Sequence, residues 1–190
     1  MRVHSLIPLL LALGCGGKAA TSAQVFAGPV SGSDVAVGVV VDGTSMALYA
    51  CGGATTYATD SRWFLGAASS SGAFTLTKDG WTASGTVTAS SVSGTLTSPA
   101  NATLSFNVPV YANSAAGLYE GVGTGGCMTG VVAWPSNGTM QTQGTWCNGT
   151  GDFEQVIPVT PVATGFSITV DHDAEVLYFN VVPAAVLVGG

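Results

Sequence analysis

Phe74-Thr75-Leu76-Thr77, Trp81-Thr82-Ala83-Ser84-Gly85-Thr86-Val87, Val92-Ser93-Gly94-Thr95-Leu96-Thr97 and Leu104-Ser105-Phe106-Asn107-Val108 follow one another along the chain. In each, an apolar residue or glycine recurs at every second position, and threonine or serine fills nearly all the places between. A period of two belongs to the β-strand, in which successive side chains point to opposite faces. The hydroxyl residues suit a face that meets water, and the apolar ones a face that meets a core, as in a half-buried antiparallel sheet. Lys78-Asp79-Gly80, Ala89-Ser90-Ser91 and Ser98-Pro99-Ala100-Asn101 interrupt the pattern at hairpin spacing. Consecutive strands should therefore pair as a meander.

Outside this block, further strands are expected at Val35 to Val41, Ser45 to Cys51, Trp63 to Ala67, Leu118 to Val122, Cys127 to Trp134, Met140 to Cys147, Phe166 to Val170 and Glu175 to Val182. Asp42-Gly43 and Asn137-Gly138 are expected turns, and no segment carries helical periodicity. The strands hold almost no charge, although exposed edges are normally guarded by lysine, proline or inward charges. Closure removes edges altogether. The expectation is thus an all-β fold, an antiparallel meander closing into a barrel, with a β-sandwich as the alternative. A membrane-spanning barrel would need apolar outer bands, and the outer positions here are Thr and Ser.

The chain opens with Arg2, an apolar run from Leu6 to Leu13, and then Leu11-Ala12-Leu13-Gly14-Cys15-Gly16-Gly17-Lys18. The run is too short to span a bilayer but has the cationic start and small residues of a secretory signal. With Cys15 placed after Ala12-Leu13-Gly14, the segment resembles a bacterial lipoprotein signal. That resemblance implies cleavage before Cys15, a thioether-linked diacylglycerol on Cys15, and a protein anchored to the membrane by lipid. With Gly16 rather than an acidic residue after the cysteine, it also implies the outer membrane. The expected organisation is a signal peptide over 1–14, a lipidated N-terminus and flexible tether over 15–33, and a single β domain over 34–190. A first edge strand around Val25-Phe26 is the alternative within the tether.

Lys and Arg together number 4 against 10 Asp and Glu, giving a net charge of −6. A polyanion meets repulsion over nearly the whole surface, so nucleic acid is not an expected partner. Beside Cys15 stand Cys51, Cys127 and Cys147, in a chain whose export would allow disulfides. A three-residue loop at Ser136-Asn137-Gly138 would set Cys127 and Cys147 opposite each other across a hairpin. Pairings with Cys51 remain open. The cysteines are far apart in sequence and His172 is the one histidine beyond the leader, so no metal is expected.

Chemistry-bearing motifs are few. Gly121-Val122-Gly123-Thr124-Gly125-Gly126 has the letters of a dinucleotide fingerprint but precedes a strand rather than a helix, so no cofactor is expected. Asp171-His172-Asp173-Ala174-Glu175 lacks the glycine and distant glutamate of a calcium loop and reads as a hairpin turn. His172 is the sole base for a serine triad, and no serine sits in a Gly-x-Ser-x-Gly elbow. Trp63 and Trp134, beside Arg62 and Pro135, are candidates to line a small-ligand cavity near a barrel mouth.

Tyr49-Ala50-Cys51-Gly52-Gly53, Trp63 with Gly66, Ala116-Gly117-Leu118-Tyr119, and Gly130-Val131-Val132-Ala133-Trp134-Pro135 with Gly138 together resemble a loose set of bacterial exported β-domains, over roughly residues 35–147. The resemblance implies fold and address and carries no activity. The expected function is a lipid-anchored envelope protein, a non-catalytic structural or interaction module that meets an envelope protein. The alternative is a small-ligand carrier with an apolar barrel cavity.

Overall fold

The computed structural model describes residues 23–112, 114–122, 127–149, 151–173 and 175–184; the signal segment, Cys15 and most of the glycine run at 121–126 lie outside them. In chain order the elements are β1 (Gln24–Pro29), β2 (Ala36–Asp42), β3 (Ser45–Cys51), a one-turn α1 (Tyr57–Asp60), β4 (Arg62–Ala67), β5 (Ala73–Lys78), β6 (Trp81–Val87), β7 (Ser91–Thr97) and β8 (Thr103–Tyr111). There follow β9 (Gly117–Val122), β10 (Met128–Ser136), β11 (Thr139–Cys147), β12 (Phe153–Gln155), β13 (Phe166–His172) and β14 (Glu175–Pro183).

The fold is all-β and antiparallel, as two nearly closed barrel-like sheets. The first runs β4-β3-β2-β1-β8-β7-β6-β5 and the second β12-β11-β10-β9-β14-β13. The meander from β5 to β8 pairs in register: Leu76 faces Ala83, Ala83 faces Leu96, and Leu96 faces Leu104. These residues point into the first barrel, which Phe26, Val37, Val39, Met46, Leu48, Phe64, Phe74 and Phe106 fill. The outward positions align as well: Thr75, Ser84, Thr95 and Ser105 form one row across four strands, and Thr77, Thr82, Thr97 and Thr103 another.

The first barrel closes by pairing its first strand with its last, Val25 with Tyr111 and Phe26 with Val110. Its open seam lies between β4 and β5, which are neighbours in sequence. Gly66 explains how these free edges approach without a ladder: a Cβ there would lie 2.6 Å from Leu76 Cδ2, so the leucine covers the space a side chain would need. In the second sheet the free edges are β12 and β13, bridged just past β12 where the Ile157 amide donates to the Thr169 carbonyl at 2.9 Å.

One outer face of the first barrel packs against the second. Ala27, Ala36, Val40, Ala47, Tyr49, Cys51 and Trp63 meet Leu118 and Val132. On the other face of the second sheet, Tyr119, Val131, Ala133, Trp146, Ile168, Val170 and Val181 form its own core. Strands β2, β3, β9 and β10 are therefore buried on both faces, which is why 35–41 and 46–51 read as continuous apolar runs. Two glycines set the approach. A Cβ on Gly38 would lie 3.0 Å from the Leu118 side chain, and one on Gly130 would enter the Tyr49 ring at 2.4 Å.

Three expectations need correcting. The tether of 15–33 ends by Gln24, because β1 lies between β2 and β8 with Phe26 and Ala27 fully buried. It is an interior strand, and having one face in each core it shows little polar alternation. The turn after β10 is two residues, Asn137-Gly138, both at positive φ, with Ser136 paired to Thr139. That shifts the register by one from a three-residue loop, so Cys127 and Cys147 are not directly opposed. They are nevertheless bonded, at a Cα–Cα distance of 6.1 Å within the usual range. The turn after β2 is likewise one residue later, at Gly43-Thr44 between paired Asp42 and Ser45.

Candidate functional site

Side chains able to do chemistry collect where the barrels meet. Beyond β3 the chain turns at Gly52-Gly53, where a Cβ would strike Thr56 or Asp34 within 2.4 Å. It then makes the α1 turn and returns as β4. Asp34 holds this loop from the far side: its carboxylate accepts from the Thr55 amide at 3.0 Å and from the Thr55 and Thr56 hydroxyls at 2.6 and 2.7 Å. Partial burial opposes ionisation of Asp34, but these donors outweigh it and hold its carboxyl below the usual carboxylate range.

Beneath the loop lies a polar cluster. The Ser61 and Thr145 hydroxyls are 2.7 Å apart, Cys51 Sγ is 3.8 Å from Thr145 Oγ1, and Ser61 Oγ accepts from the Gly52 amide. Gln143 donates to the carbonyls of Asp34 and Cys51, tying the second sheet to the first. Cys51 is fully buried, and that burial pushes its thiol up to about 12. Desolvation likewise raises the Tyr49 phenol well above its ordinary value, with the neighbouring Cys51 adding to it. A thiol nucleophile acts as thiolate. Both groups stay neutral at physiological pH, so the cluster is a buried hydroxyl–thiol joint rather than an activated nucleophile.

Trp63 sits beside this joint. It is 8% exposed, packs against Tyr49 in a tilted arrangement at 4.8 Å between ring centroids, and donates from its indole nitrogen to the Met128 carbonyl at 2.9 Å. Trp134 lies six residues along β10 from Met128, roughly 20 Å of strand, and packs partly buried against the same interface. The structure thus does not bring the two tryptophans to one barrel mouth. Position near a strand end suggested a mouth, but both side chains turn outward into the inter-barrel face. The interior they were to guard is filled by aromatic and aliphatic side chains.

Two crevices open along that interface. One, of about 560 Å³, is lined by Val25, Tyr111, Leu118, Tyr119, Pro183 and other uncharged residues. The other, of about 410 Å³, lies between Arg62, Trp63 and Leu65 on β4, Lys78 at the end of β5 with Asp79 in the turn after it, and the Cys127–Cys147 disulfide with Met128 and Phe153. The sequence points to Trp63 with Arg62 beside it, but not to Lys78 in the same crevice. The available signal was that Arg62 and Lys78 are the two Lys or Arg residues in the described part of the chain.

In the acidic segment, the pairing of β13 with β14 ends at His172 and Glu175, and Asp173 is at positive φ. His172 packs on Trp146 at 5.0 Å and lies 3.4 Å from Glu154 and 3.5 Å from Asp173. No serine hydroxyl is among the hydrogen-bond partners found for it among the described residues. The chain matches no family model, no curated protein and no solved structure.

Proposed function

We propose that the chain is a lipid-anchored protein of the bacterial envelope, held in the outer membrane through Cys15, and acts there as a non-catalytic structural or interaction module for an envelope protein. The observation that carries this reading is the filled first barrel. Its interior is closed by Phe26, Met46, Leu48 and Phe64, all 0% exposed, while the exterior of β5 to β8 offers rows of uncharged hydroxyls. A barrel that spends its interior on packing has its surface left for recognition. The hydroxyl–thiol joint supports the non-catalytic half, because its thiol, Cys51, is buried and neutral.

Two measurements test it. Intact-mass analysis of the exported protein should give a chain beginning at Cys15 with acyl mass added, and Cys15→Ser should release the protein from membranes. A mature terminus elsewhere, or an unmodified Cys15, would refute the anchor. For the module, cross-linking in intact cells should join the wild-type domain to a defined envelope protein. If only non-specific products form while native mass spectrometry shows a small molecule that leaves on denaturation, the carrier reading replaces it. The crevice at Trp63 keeps that second reading open, at a place other than the barrel interior.

A further inference from the structure

Among the described residues of a chain with net charge −6, the two strong cations both line one crevice. Arg62 approaches it from β4 and Lys78 from the end of β5, with Asp79 in the turn beyond and Trp63, Leu65, Met128 and Phe153 forming apolar wall. The Arg62 guanidinium lies 4.3 Å over the Trp81 ring and donates to the Thr59 carbonyl, yet its Nε is buried without a partner. Among the described residues no carboxylate lies within 4.0 Å of it. Asp60 and Asp79 act on it only at longer range. Lys78 is paired with its neighbour Asp79 at 3.6 Å, both side chains more than half exposed, a contact that water largely screens.

From this arrangement we propose that the crevice is a binding site for a small amphipathic acid, a molecule with an aromatic or aliphatic body ending in one anionic group. Apolar pockets with a few placed polar groups are how proteins hold such ligands, and about 410 Å³ lies in their usual range. The body lies against Trp63, Leu65, Met128 and Phe153, and the acid meets Lys78 and the guanidinium of Arg62, a planar donor suited to carboxylates. The electrostatic logic is selective. Among the described residues of a chain with net charge −6, this is the crevice where an anion meets both strong cations against one lining carboxylate, Asp79. This reaches beyond a purely structural module and needs neither the lipid anchor nor a hollow barrel, so it stands or falls separately from both.

The test uses the full chain carrying Cys15→Ser, purified without detergent, and two fluorescent probes with nearly the same body: the anion 8-anilinonaphthalene-1-sulfonate and the neutral N-phenyl-1-naphthylamine. The anion should bind saturably, one per chain, at least tenfold more tightly than the neutral probe. Lys78→Gln should weaken the anion at least threefold and leave the neutral probe unchanged, and Leu65→Glu should weaken it at least tenfold. Lys78 and Leu65 are well exposed, so neither change threatens the fold. Tyr178→Ser, on the exposed apolar face of β14, should change nothing. Equal affinity for both probes, binding insensitive to Lys78→Gln and Leu65→Glu, or binding lost with Tyr178→Ser would each overturn the proposal.

Discussion

The half-barrel of β5 to β8 and the joint made by β2, β3, β9 and β10 are built from similar ladders but face different surroundings. In the first, one side of every strand meets the barrel core and the other meets water, so Val92, Leu96, Phe106 and Val108 are buried while hydroxyls lie outside. In the second, Val39 and Val40 are adjacent and both fully buried, one in the barrel and one in the joint. A substitution on the outer side of β7 has water to accommodate it. On the outer side of β3 it has a second barrel.

The sharpest way to break this contrast is Gly130→Ala, where the new methyl would enter the Tyr49 ring. Overpacking of this kind costs about 1–3 kcal/mol, and the rigid buried ring places the expectation at the upper end. Denaturant unfolding should show the loss without a change in m-value; wild-type stability would mean the barrels separate easily. Removing the disulfide with Cys127→Ala and Cys147→Ala follows. Its sequence separation of 20 gives a chain-entropy contribution of about 3 kcal/mol, and the loss should appear equally as a lower melting temperature under reducing conditions.

A pH series sharpens the comparison further. Cys51 and Tyr49 have raised folded-state values, so the folded chain keeps protons that the unfolded chain gives up. Stability from Cys51 is complete below about pH 9 and lost as pH rises toward about 12. Cys51→Ala should flatten part of that alkaline decline, with Tyr49 retaining the rest. An unchanged slope would show that the joint admits water. The smallest effect belongs to the outer half-barrel: Thr95→Val should change stability by less than about 0.5 kcal/mol, and a larger loss would show that the hydroxyl rows do more than meet solvent.

The same contrast marks what could be read in advance. From Phe74 to Val108 the strands, their inward residues and their turns were legible, because water on one side enforces the period of two. Strands β2 and β3 were legible as strands, but not what covers their outer faces, since an apolar run names no partner. Strand β1 has linker composition at Ala27, Gly28 and Pro29, and only Val25-Phe26 hints at a strand, although Phe26 anchors it in the core. At the candidate site the sequence points to Trp63 but not to where Trp134 lies, because strand position does not say which face an indole takes. The meeting of Arg62 with Lys78 depends on how β4 and β5 come together across the open seam, and no local pattern records that.

That open seam has a consequence for the continuity of the chain itself. No ladder joins β4 to β5, and the exposed turn at Ser69, Ser70 and Ser71 is what connects them covalently there. Cutting the backbone at Ser70 would leave every strand pairing in place, the halves held together by β1 against β8 and by the joint. The molecule is in this sense already two interlocking pieces. Co-expressed fragments 1–70 and 71–190 are expected to reassemble and co-purify, an outcome that failure of either fragment to retain the other would refute.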